Sequence, residues 1–256
     1  LRKPSLEFPW IYNPPPLKSR RSRLRPLMRG NRDAKPYGGI SRSNWLMKKQ
    51  YDLVLGTHNQ KKGGELATLL APYNFHLTTL AEFPDNLTVA ETGTTFAENA
   101  ALKAGQQAQH LKRWVMGEDS GLSVDCLDGA PGVFSARYSG ETATDESNNR
   151  HLLDQLGDTP NSQRTAYYTC HIAVADPTGE IRLCCEATCR GKIRHEEIGS
   201  AGFGYDPLFE IQEYHRTFGQ LGDDVKSLLS HRAKAIRQLI PGLLQLARSG
   251  NWHNSV

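Results

Sequence analysis

From Tyr51 onward the chain alternates short apolar runs with longer stretches of helical spacing, and then turns β-rich. That order limits the fold: an opening βα alternation builds a sheet with helices on its faces, and a later strand–turn–strand run adds an antiparallel part. Tyr51–Gly56 reads as the first strand, 61–71 as a helix carrying Leu66, Leu69 and Leu70, and Phe75–Leu80 as a second strand. Phe96–Leu111 is the clearest amphipathic helix, with Phe96, Ala100, Leu102, Ala104 and Ala108 supporting one apolar face. Val115–Gly117 reads as a strand that stops at Glu118-Asp119, and Asp145–Leu156 as a helix. Thr165–Ala175 and Ile181–Arg190 form a hairpin around Asp176-Pro177-Thr178-Gly179. A last helix runs from Ser230 to Arg248 with an expected interruption at Pro241-Gly242. The expected fold is mixed α/β, with two lobes and a cleft between them.

Charge divides the chain. Residues 1–46 hold 11 Lys+Arg against 2 Asp+Glu, whereas the remainder holds 20 against 25. The expected domain, 47–250, is therefore acidic, and nothing in its charge points to nucleic acid. The first 46 residues carry Pro14-Pro15-Pro16 and the run Lys18-Ser19-Arg20-Arg21-Ser22-Arg23, with no periodicity that could bury a core. They read as a disordered extension: upstream of a true start at Met47, a polyanion-binding tail, or an Arg/Ser-rich targeting segment. Residues 251–256 read as a flexible tail. No apolar run approaches the length of a membrane span. The five cysteines are odd in number and lack disulfide-framework spacing, which fits reduced thiols in the cytoplasm. Cys184, Cys185 and Cys189 sit on a strand whose side chains alternate, so they read as core or surface thiols rather than a zinc site.

Five polar motifs punctuate this pattern in order. Thr57-His58-Asn59-Gln60-Lys61-Lys62 joins a strand to a helix, where exposed backbone N–H groups and a lysine suit a phosphate. Glu91-Thr92-Gly93 and Glu118-Asp119-Ser120-Gly121 offer Glu91 and Asp119 as oxygen ligands for a hard dication. Two acids directly after an apolar strand also place a carboxylate at a sheet edge, where it can deprotonate water; the structural alternative is an Asx turn. Glu98 and Lys103 lie about 140° apart on the intervening helix and need not pair. Gly202-Phe203-Gly204-Tyr205-Asp206-Pro207 presents aromatic faces on a glycine-punctuated loop. Lys226 and Ser230-His231-Arg232 add donors for a carbonyl on a base edge.

In this order, and with Gly129-Ala130-Pro131-Gly132 and Ser135-Ala136-Arg137-Tyr138 between them, the motifs resemble the inosine/xanthosine triphosphate pyrophosphatase family over about Tyr51 to Leu246. The resemblance implies an elongated α/β fold, Mg²⁺-dependent hydrolysis of non-canonical purine triphosphates (ITP, dITP, XTP) to monophosphate and pyrophosphate, and a homodimer. It implies that Thr57, His58, Asn59, Gln60, Lys61, Lys62 and Lys103 hold the triphosphate. Glu91 and Asp119 hold the metal, and Asp119 is the general base; the resemblance assigns no role to Glu118 or Glu98. Ser120, Phe203, Gly204, Tyr205, Asp206, Lys226, His231 and Arg232 line the nucleotide site. Three departures stand out: His58 where the family more often has a small or amide residue, Gly63-Gly64 inside a helix, and Gln220 in place of an acid. The competing readings are a related pyrophosphatase of different base preference and a non-catalytic binder.

Overall fold

The computed structural model describes Gln50–Gly250 and Trp252. The expected basic extension, the start at Met47, and residues 251 and 253–256 of the expected tail lie outside the described residues. Trp252 itself is fully buried, stacked on Trp114 at 4.2 Å, and its Nε1 donates to the Asp52 carbonyl at 3.1 Å. Among the described residues no helix is long and apolar enough to cross a membrane.

Seven strands form one mixed sheet in the order β2-β1-β3-β4-β5-β6-β7. β1 (Tyr51–Leu55), β2 (Phe75–Thr79) and the start of β3 (Val115–Val124) run parallel. From β3 onward each strand is antiparallel to the next, through β4 (Thr165–Ala175), β5 (Ile181–Ile193), β6 (Phe209–Ile211) and β7 (Arg216–Thr217). The helices are α1 (Gln60–Leu70), α2 (Phe96–Leu111), α3 (Asp145–Leu156), α4 (Phe218–Leu229) and α5 (His231–Arg248). The mixed α/β class is as expected.

Local chemistry sets the helix starts. Thr95, Thr144, Thr217 and Ser230 cap α2 to α5 through their hydroxyls, each typically contributing about 1 kcal/mol. Gln220 closes a capping box by accepting from Thr217 N at 3.1 Å, so an amide serves where an acid was expected. α1 forms despite Gly63-Gly64; Gly63 is buried in it.

Two expectations are corrected. β3 does not end at Gly117 but continues to Val124, so Glu118-Asp119-Ser120-Gly121 lie within a strand paired along its length to β4, and no Asx turn forms there. α5 passes through Pro241 without a break, because Leu239, Ile240, Leu243 and Ala247 stay packed in the core across the proline. α4, with a non-helical Gly222 inside it, and the short β6 and β7 had no counterpart in the sequence pattern.

The core splits around the polar motifs. On the face of β3 that meets α5, Met116 belongs to one apolar cluster, with Leu53, Leu66, Ile172 and Ile236. Leu122 and Val124 belong to another, with Leu152, Tyr168, Phe209 and Phe218. Glu118 and Ser120 stand between them. This interruption of apolar packing is the physical basis of the two lobes and the cleft.

Candidate active site

Strand alternation sends Glu118 and Asp119 to opposite faces of the sheet. Glu118 is fully buried between Lys62 Nζ at 3.1 Å and Arg232 at 3.0 Å. Burial pushes its carboxyl up, but Lys62, Arg232 and Lys103 outweigh that and hold it well below the usual range. It also accepts from Cys170 Sγ at 3.5 Å. Arg232 also reaches Ser120 Oγ at 3.0 Å and Glu65, whose other oxygen binds Lys226 at 2.6 Å. The facing charges outweigh burial and leave Arg232 and Glu118 charged together. This network ties α1, β3 and α5 at the cleft floor.

Asp119 faces α2 instead. Lys103 Nζ lies 2.9 Å from its Oδ1 and 3.3 Å from Glu91 Oε1, so one ammonium joins the two carboxylates. Asn99, fully buried, donates to Asp119 Oδ2 at 3.3 Å and accepts from Gly93 N at 2.8 Å, linking the Glu91 loop to the acid. Burial raises the Asp119 carboxyl above its ordinary value, only partly offset by Lys103. Burial lowers the Lys103 ammonium, but Asp119, Glu118 and Glu91 more than restore it. α2 approaches this closely because Gly117 has no side chain: a Cβ there would lie 2.6 Å from Ala104 N and 3.0 Å from Ala104 Cβ. Glu98 is spent elsewhere, accepting from Thr94 N at 2.6 Å and Thr95 N at 3.2 Å as the cap of α2. As expected, it does not pair with Lys103.

The remaining motifs meet at the cleft. Asn59 caps α1 by accepting from Lys62 N at 3.1 Å, and Thr57 Oγ1 accepts from Asn59 N at 3.1 Å. His58 Nε2 lies 3.4 Å from the Leu87 carbonyl. Lys61 pairs with Asp145 at 3.1 Å, and Gln60 and Lys61 line a cavity of about 380 Å³ between α1 and α4 that Phe203 and Lys226 also line. A narrower space of about 100 Å³ runs from Ser120 and Gly121 past Tyr168 to Phe203 and Gly204. Phe203 has Lys226 Nζ 4.2 Å from its ring centroid, with Lys61 at 5.5 Å and Arg232 at 5.9 Å. Asp206 accepts from Lys226 at 2.6 Å and from Phe203 N at 2.9 Å; burial raises its carboxyl and Lys226 opposes that. Gly202 is obligatory, since its φ is +76° and a side chain would strike Asp206. Tyr205 lines the narrower space and donates its hydroxyl to the Ser135 carbonyl at 2.8 Å. His231 is buried and stacked on Tyr168 at 4.6 Å; burial and Arg232 keep it neutral.

Sequence reasoning missed Glu65 and Asn99. Both stand inside quoted or adjacent helices, where their spacing looks like an ordinary solvated face. Cys185 faces α5, its Sγ donating to the Ala235 carbonyl at 3.3 Å, and all five cysteines are free thiols. Two carboxylates converging on one ammonium are the donor set a hard dication uses when water and phosphate complete its shell. Among the described residues no group of three or more His, Cys, Asp or Glu side chains could hold a metal alone. The residues therefore fit an ion shared with substrate.

Residues 53–242 match the model of the Ham1 family. The chain belongs to that family. A Ham1 relative from Rhodopirellula baltica, described as a dITP/XTP pyrophosphatase, is 53% identical over 205 residues, covering 80% of this chain and 99% of the relative. The Ham1 protein of Staphylococcus aureus superposes with a TM-score of 0.68 at 36% identity, over 77% of this chain and all of that one. A HAM1 protein from Coxiella burnetii gives 0.70 at 35%, with the same coverage.

Proposed function

We propose that this Ham1 chain hydrolyses non-canonical purine nucleoside triphosphates, ITP, dITP and XTP, to the monophosphate and pyrophosphate. The observation that carries the reading is the cluster in which Lys103 of α2 joins Glu91 of the preceding loop to Asp119 of β3, together with Phe203 facing a group of cations. Relatives bearing the same name of activity support it.

In this reading Lys103 and Lys62 bind the triphosphate, together with the α1 N-terminus, and Asp119 takes the proton of the attacking water. Its raised carboxyl suits a base more than a permanently paired acid does. Glu91 and Asp119 would hold Mg²⁺, which when bound supplies Lewis-acid polarisation of the phosphoryl oxygens. Asn99 keeps the Asp119 carboxylate turned toward the cluster. Phe203 offers its face to the purine, and Asp206 holds Lys226 and the Phe203 backbone in place. Arg232 Nε and His231 Nδ1 are buried without a hydrogen-bond partner. With the His231 proton on Nδ1, these donors favour a 6-oxo acceptor and oppose adenine, whose amino group leaves them unpaired. A homodimer rests on the family resemblance and a cytoplasmic location on the unpaired cysteines; sedimentation of the purified chain tests the first.

Pyrophosphate release from ITP, XTP, dITP, GTP, ATP and dUTP tests the reading. A strong preference for ITP, dITP and XTP is expected. Equal rates on all six would remove the base-reading roles, and no release from any would remove the activity.

A further inference from the structure

The Ser135–Tyr138 motif has no role in that scheme, yet several hydrogen bonds hold it in place. It sits on a 3-10 turn, Gly132–Arg137. Ser135 Oγ accepts from Leu122 N at 2.9 Å and donates to the Gly132 carbonyl at 2.6 Å. The Ser135 carbonyl accepts from Tyr205 OH at 2.8 Å, and Asn148 Nδ2 reaches the Ala136 carbonyl at 3.3 Å. Gly121, two residues after Asp119, has no room for a side chain against Ser135 and Gly132. The turn is thus bolted to the strand that carries the catalytic candidate.

Arg137 projects from the end of this turn. Its guanidinium lies 5.3 Å from the Phe134 ring centroid, and NH1 stands 3.9 Å from Glu91 Oε2. That distance is too long for a hydrogen bond, and a half-exposed ion pair of this kind contributes little to stability. Lys62, Lys226 and Arg232, by contrast, are each held by a buried or half-buried carboxylate. A planar guanidinium on an aromatic face, with donors in hand, suits phosphate oxygens. The contacts run in sequence: Asp119 to Lys103, Lys103 to Glu91, Glu91 to Arg137. If water is activated at Asp119, the attacked phosphorus lies at that end, and the departing part of the substrate lies toward the other.

We propose that Arg137 binds the leaving pyrophosphate, an inference that rests on the function proposed above. The water oxygen forms a bond to the α-phosphorus and its proton passes to Asp119. The bond from the α-phosphorus to the α–β bridging oxygen breaks, and its electron pair leaves with the pyrophosphate, whose charge Arg137 offsets.

Calorimetric titration of the full chain with inorganic pyrophosphate and, separately, with IMP in Mg²⁺ buffer tests this. Arg137→Gln should weaken pyrophosphate binding by roughly 10- to 100-fold, the worth of a lost charge-assisted contact, and leave IMP binding unchanged. Arg137→Lys should recover part of the loss. Unchanged pyrophosphate affinity in Arg137→Gln, or equal losses for both ligands, would overturn the assignment while leaving the function intact. A wild-type chain that binds neither ligand and hydrolyses no triphosphate would overturn both.

Discussion

Gly117→Ala adds one methyl group where α2 crosses β3. The new Cβ would meet Ala104 N at 2.6 Å and Ala104 Cβ at 3.0 Å, with the Ala100 carbonyl closer still. All three are backbone or near-backbone atoms that cannot rotate away. Restoring ordinary contact requires α2 to move by about 1 Å, and overpacking of this kind costs about 1–3 kcal/mol. For a domain of this size that is a fall in melting temperature of about 2–12 °C. The functional effect should be larger than the thermal one. Ala100 and Ala104 flank Lys103 on one turn of helix, so the displacement opens the 2.9 Å Lys103–Asp119 contact and drags Asn99 with it. A misplacement of about 1 Å near reacting groups costs on the order of 100-fold in rate. The assay is pyrophosphate release from ITP at saturating substrate, beside a thermal melt of the same preparation. Gly64→Ala is the packing control, because a Cβ there meets nothing within 4 Å. If Gly117→Ala kept both wild-type turnover and wild-type melting temperature, the close contact would not be what sets Lys103 against Asp119.

Asp119→Asn should abolish pyrophosphate release while leaving the melting temperature near wild type or above, since burial already disfavours its charge; residual turnover above a hundredth of wild type would reassign the base. Glu118→Gln should instead destabilise by about 3 kcal/mol, as for one partner removed from a buried ion pair, and a denaturant melt unchanged from wild type would contradict the network. The pH dependence has a definite sign. Because the folded Glu118 carboxyl sits below its ordinary 4.5, the unfolded chain binds more protons in acid, so its stabilisation is full above that value and is lost as pH falls through the folded range. Acid melts should therefore be flatter in Glu118→Gln, and parallel acid limbs would count against the assignment. His231, held neutral by burial and Arg232, should make ITP-over-ATP preference flat between about pH 6 and 8; a step near the ordinary histidine range would show that it titrates in the site.

What the sequence revealed and what it hid follow one physical line. Cap residues, apolar spacing and the hairpin turn act locally, so α2, α3, β4 and the opening βα unit were legible, as were the motif residues that the fold gathers at the cleft. β3 was cut short at Gly117 because two adjacent acids look like the end of an apolar strand. They continue it because their compensation is distant: Arg232 reaches Glu118 across 114 residues of chain, and Lys103 and Asn99 reach Asp119 from the helix before. α4 was hidden by Gly219, Gly222 and Asp223-Asp224, which break an apolar stripe that only contact with β6, β7 and α5 completes. The proline in α5 misled for the same reason, since core packing on both sides of Pro241 outweighs a local cost of about 3 kcal/mol.

The two acids also show why a motif can be read correctly in composition and incorrectly in geometry. Adjacent in sequence, they are a strand's width apart in function. Glu118 turns into the sheet face shared with α1 and α5, where it is fully enclosed and holds two cations in place. Asp119 turns to the α2 face, where burial raises its carboxyl beside a lysine it shares with Glu91. Neither could do the other's work. A base needs access to water and an ionisation near working range, and a fully buried carboxylate between two cations has neither. A scaffold acid needs permanent charge, which a carboxyl pushed up by burial does not guarantee. The period-two alternation of one strand therefore separates the acid that ties the cleft together from the acid that shares Lys103 with Glu91, and the glycines on either side, Gly117 and Gly121, let α2 and the Arg137 turn close on the Asp119 side alone.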